Sequence, residues 1–247
     1  LSAQDEAGAS GYGLCLSPHY AWLQNLFRAV PFARGYLRRE KMREADILIR
    51  RHVASLLDEA ARSIDSARQA LASAAAQAVF AAQPMLSMPS LPGPGPQAVA
   101  AAQQLLPRLR GLYDSVQRLS SDILYADSGW APVGAVQAIR EDEIRLLCSI
   151  DDSMIGLAEA VKALASRLEE AARRGDASSA EEAARELEEA VGRLRSLYEE
   201  RRRFLRFAST GRTVAGEVRE AVSRVVGAAR GLLSRLAGRF GLGGGKG

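Results

Sequence analysis

The chain is expected to fold as an all-α bundle of long antiparallel helices, coiled-coil-like in their seams, with a basic amphipathic helix near its C-terminus. Three observations carry that expectation. Apolar residues recur at steps of three and four along most of the sequence, which keeps one stripe of each helix against a neighbour. Hydrophobic content is 47%, yet aromatic residues supply only 6%. Ala and Leu make up most of the remainder, which suits small knobs between close helices better than the β-branched and aromatic surface of a sheet. Finally, Pro and Gly fall together where the pattern breaks. At 247 residues the chain is long enough for one sizeable core or two modest helical units.

Residues 1–13 are rich in Gly, Ala and Ser and are expected to be disordered. Residues 14–32 then pack Leu14, Leu16, Tyr20, Trp22, Leu23, Leu26, Phe27, Val30 and Phe32 into a short piece. It reads as a lid on one end of the bundle or as a docking peptide. Ser17-Pro18 has the form of a helix start, and Pro31 bends or ends that helix.

A long helix is expected over about 33–83, with Ile49, Val53, Leu56, Ala60, Ala67, Leu71, Ala74 and Ala78 on its seam. Five prolines in residues 84–97 mark a linker or hairpin loop. The second helix, about 97–125, repeats cleanly through Ala102, Leu105, Leu109, Leu112, Val116, Leu119 and Ile123, with Pro107 inside it. Asp127 to Pro132 is the next break. The third helix, about 133–174, carries Leu147, Ile150, Met154, Leu157, Val161, Leu164, Leu168 and Ala171 on its seam.

Gly175 stands where a C-terminal cap belongs. Ser178 and Ser179 each precede a glutamate by three residues, the spacing of a capping box. The fourth helix then runs to about 208 along Ala180, Ala183, Leu187, Ala190, Leu194, Leu197 and Phe204, so the third and fourth helices form an antiparallel hairpin. Thus 14–208 reads as the bundle. Residues 209–240 read as the basic amphipathic helix, with Val214, Val218, Val222, Val225, Ala229, Leu232, Leu236 and Phe240 on one face. Residues 241–247 are a Gly-rich disordered tail.

Charge is unevenly spread behind a net +4. Residues 141–200 hold 8 Lys and Arg against 16 Asp and Glu, and residues 201–247 hold 11 against 2. The basic excess is either a solvated helix face or a contact for something acidic. Arg219, Arg224, Arg230, Arg235 and Arg239 are the candidate residues for binding an acidic surface. Arg38, Arg39, Lys41 and Arg43, with Arg201, Arg202, Arg203 and Arg206, are candidate phosphate contacts, though no aromatic stacking platform accompanies them.

Catalytic and metal chemistry find little support. His19 and His52 are the only histidines, and neither has a glutamate three residues before it, as a di-iron bundle requires. Glu141-Asp142-Glu143 and Asp151-Asp152 read as solvated faces, because adjacent helical residues diverge. The glycines before Lys246 lack the Ser or Thr of a phosphate-binding loop and precede no helix. Cys15 and Cys148 are too few for a metal cluster. Two free thiols in a reducing cytosol are expected, with one disulfide as the alternative. No run of about 18 apolar residues occurs. Thirty arginines against three lysines and a single asparagine, Asn25, suit a GC-rich or thermophilic source.

The sequence therefore reads as a non-enzymatic helical scaffold or interaction protein without cofactor. Its expected partners are itself or another helical protein, with the basic tail on an acidic surface. Peripheral membrane binding or membrane remodelling, and nucleic-acid binding, are the alternatives. The expected location is the cytoplasm, with peripheral membrane attachment open.

Overall fold

Runs of 25 to 40 residues that keep the apolar spacing of three and four give helices of matching length, and that spacing carries one of them through Pro107. A computed structural model of the chain describes residues 42–81, 96–125, 141–208 and 216–240. They form five helices packed as a bundle: α1 (Met42–Ala81), α2 (Pro96–Tyr125), α3 (Glu141–Arg174), α4 (Ala177–Ala208) and α5 (Gly216–Phe240). The expectations for residues 1–41, for most of the loop after α1, for the Asp127–Pro132 break and for the Gly-rich tail lie outside the described residues. The start of α2 corrects one boundary. Pro96, read as loop, opens the helix, where a missing N–H costs nothing because the first turn leaves its donors unpaired.

The seam residues are buried wherever their side chains are described, with two exceptions. Ala74 is half-buried, and in α5 Val226 is buried while Val225 is half-buried. The buried stripes are also wider than a two-stranded seam needs. In α1 the adjacent pairs Leu56 with Leu57 and Ala60 with Ala61 are all buried, so that helix touches more than one neighbour. In α3 every residue from Ser153 to Leu157 is buried, which is the pattern of a helix surrounded by others.

The described residues fall into two compact units. Unit 1 is drawn from Leu1–Val53, Ile123–Leu157 and Arg193–Gly247, and unit 2 from Ala54–Asp122 and Ala158–Gly192. Unit 2 has an Ala- and Leu-rich core, with Ala60, Ala67, Ala165, Ala180 and Ala190 among its fully buried residues. Polar contacts tie its helices around that core. Ser120 Oγ on α2 donates to Asp58 at 2.8 Å on α1, Lys162 on α3 pairs with Glu59 on α1, and Arg108 on α2 forks onto Glu188 of α4. Those ion pairs are substantially exposed and contribute little each. The apolar core holds the unit.

The α3–α4 turn takes only two residues. Gly175 adopts φ +70°, and its N–H donates to Ala172 O at 3.1 Å while that of Asp176 donates to Ala171 O at 3.0 Å. This pair of bonds is a Schellman cap, as the sequence anticipated. A Cβ at Gly175 would meet nothing within 4 Å, so the demand for glycine is purely conformational. Gly175→Ala is expected to cost about 1–2 kcal/mol and Gly175→Asn less, read as shifts of the urea midpoint at unchanged slope.

The start of α4 differs from its expected cap. Asp176, not Ser178 or Ser179, caps the helix: its Oδ1 accepts the Ser179 N–H at 3.0 Å and its Oδ2 accepts the Ser179 hydroxyl at 2.6 Å. A serine three residues after an aspartate completes the cap from the opposite direction to the Ser-x-x-Glu spacing. The two Ser179 bonds hold the Asp176 carboxyl below the usual aspartate range. Because that pKa is lowered on folding, the stabilisation is present above the ordinary aspartate value and lost as pH falls through the folded one. The Tm difference between wild type and Asp176→Ala is therefore expected at neutral pH and to shrink on acidification below about pH 4.

Candidate functional site

A chain of alternating charges crosses the interior of unit 1. Arg201 of α4 is 1% exposed and donates from Nε to Asp151 Oδ1 of α3 at 2.5 Å. Its Nη1 stands 2.7 Å from Asp46 Oδ1 of α1, at an angle that makes an ion pair but no directed hydrogen bond. The other Asp46 oxygen accepts Arg50 Nε at 3.0 Å. Arg50 Nη1 donates in turn to the carbonyls of Ile123 and Leu124, at the C-terminal end of α2 where no intrahelical donor remains. Four helices are thus linked through Arg50, Asp46, Arg201 and Asp151, with opposite charges balanced one for one.

Burial sets the electrostatics of this chain. Desolvation pushes the Asp151 carboxyl above the usual aspartate range, against the pull of Arg201. Desolvation also opposes the charge on Arg201, but Asp151 and Asp46 outweigh it and raise its pKa, so it stays protonated. Tyr198, one turn before Arg201, is raised by burial and has the Arg202 guanidinium 5.8 Å from its ring centre. A group of this kind stabilises one arrangement of helices over others. Arg201, Asp151 and Asp46 are all buried within it.

Three sequence assignments are corrected here. Arg201 was a candidate phosphate contact, but it is enclosed between two aspartates. Asp151 and Glu143 were read as solvated, yet each is 1% exposed. Arg203 is exposed and pairs with Glu200 at 3.3 Å, Arg202 lies over Tyr198, and Arg206 is exposed. Arg38, Arg39 and Lys41 lie outside the described residues, as does the side chain of Arg43. The eight candidate phosphate contacts are therefore not brought together by the described structure.

Arg219 Nη2 pairs with Asp142 Oδ2 at 2.6 Å and lies 3.6 Å from Glu143 Oε1, both on α3. Arg230 Nη2 donates to Ser149 Oγ at 2.9 Å. Arg224, Arg235 and Arg239 occupy exposed positions.

Cys148 on α3 is disulfide-bonded, which corrects the expectation of free thiols. The only other cysteine in the sequence, Cys15, lies outside the described residues. No three potential metal ligands lie together among the described residues, and no helix among them is long and apolar enough to cross a membrane. The chain matches no family model, no curated protein and no solved structure.

Proposed function

We propose that the chain is a non-enzymatic helical scaffold that associates with itself or with another helical protein, using its Arg-bearing C-terminal helix on an acidic surface. One observation supports this most. Large apolar side chains exposed among the described residues include Ile47, Leu48 and Tyr125, and all three belong to unit 1. That same unit holds α5 with Arg224, Arg235 and Arg239 outward. Apolar side chains with a basic helix in one unit suit association better than chemistry.

A cytoplasmic home for a disulfide-bonded chain fits organisms that keep intracellular disulfides, as hyperthermophiles do. The scarcity of asparagine points the same way.

Light scattering coupled to size exclusion, at low and high salt, tests the proposal on the full chain. A defined oligomer is expected, reduced to monomer by the double substitution Ile47→Glu and Leu48→Glu. A wild-type monomer under both conditions, with no helical partner captured, would overturn self-association.

A further inference from the structure

α5 packs on α3. It runs parallel to α3, because Arg219 meets Asp142, Arg230 meets Ser149 and Leu233 meets Gly156 in rising order. Its buried side, Val218, Val222, Val226, Ala229, Leu232 and Leu236, is built mostly of modest side chains. Its outer side carries Gly227, Gly231 and Gly238, where an added Cβ would meet nothing within 4 Å. Three interior glycines without a packing reason lower the tendency of this segment to stay helical alone, so docking supplies what propensity does not. The ion pair at its start is accessible, with Arg219 36% and Asp142 51% exposed, and water and salt compete for it.

We propose that α5 is a releasable membrane-contact helix, and that Asp142 and Glu143 hold Arg219 in the docked state in place of anionic lipid headgroups. This rests on the reading that the C-terminal helix contacts an acidic surface, and it names that surface. From residue 221 to 240 the helix contains Arg224, Arg230, Arg235 and Arg239 and no acidic residue. Released, it would present these arginines beside an uncovered face of Val and Leu. A bilayer surface takes both, the cations among its phosphates and the apolar face at the acyl boundary. A nucleic-acid backbone satisfies only the arginines and leaves the Val and Leu face in water.

Two full-length variants loosen the dock by different means. Asp142→Asn with Glu143→Gln removes the charges that hold Arg219. Gly156→Leu places a side chain where a Cβ alone would come 3.0 Å from Leu233 Cδ1. Flotation with vesicles of phosphatidylcholine and phosphatidylserine, against phosphatidylcholine alone, reads the outcome, with circular dichroism confirming helix content. Both variants are expected to bind the anionic vesicles at least about fivefold more tightly than wild type. Adding Arg224→Glu and Arg235→Glu should abolish the gain.

Unchanged vesicle binding in folded variants of both kinds would overturn the proposal. So would a gain in binding to duplex DNA in place of vesicles. The oligomer measurement is made without lipid, so the two readings fail separately. A monomer whose loosened variants float with vesicles sinks self-association alone, and an oligomer whose variants ignore vesicles sinks this inference alone.

Discussion

Arg201→Met is expected to destabilise the protein by about 3–5 kcal/mol, the usual cost of removing one partner from a buried ion pair. The side-chain volume is nearly conserved, so the loss measures the charge left behind more than a cavity. Asp151, 1% exposed, would lose the guanidinium that donates to it, whereas Asp46 would keep Arg50 at 3.0 Å. That asymmetry provides the control. The double substitution Arg201→Met with Asp151→Leu leaves the Asp46–Arg50 pair intact and buries no unpaired charge. It should recover most of the loss and can exceed wild type by about 1–4 kcal/mol. Urea denaturation of the two variants decides the matter. Equal losses in both would show that packing around residue 201, not charge compensation, dominates.

Reduction of the disulfide is the second large effect. A cross-link at Cys148 restricts the unfolded chain and so removes part of its entropy. Reductant, or Cys148→Ser, is expected to cost about 2–4 kcal/mol and to lower Tm. Cys148 is 6% exposed on α3, within the same helical stretch that carries Asp151. A melting curve insensitive to reductant would remove the disulfide from the account of stability.

How much of this was legible in the sequence differs by element. The helices and their seams followed from spacing alone, since burial of Leu147, Ile150, Met154 and Leu157 needs nothing more than a partner on one side. The buried charges were not read, although the pattern held a signal. The seam of α4 passes from Leu197 to Phe204 with a step of seven, and Arg201 fills the skipped place. Glu143 sits four residues before Leu147, and Asp46 three before Ile49, each extending its seam by one step. A charge at a seam position is a buried charge in search of an opposite one. Composition by segment concealed this, because summing charges over sixty residues averages the few inward-facing groups with the many outward ones. The Asp176 cap was missed for a different reason. Ser, Asp and Glu crowd the same seven residues, several registers of capping box compete, and the glycine at 175 decides among them by fixing where α3 stops.

Asp176 also closes one helix and opens the next, donating its N–H backward to Ala171 O and accepting the Ser179 N–H forward. With no spare residue between those duties, the angular phase of α4 is geared to that of α3. One inserted residue would rotate α4 by about 100°, turning Ala180, Ala184 and Leu187 out of the core together. The hairpin can therefore drift in composition but not in length. Insertions and deletions in diverging copies of this chain must accumulate elsewhere, leaving the Gly175-Asp176 junction as a fixed reference mark from which both helices are counted.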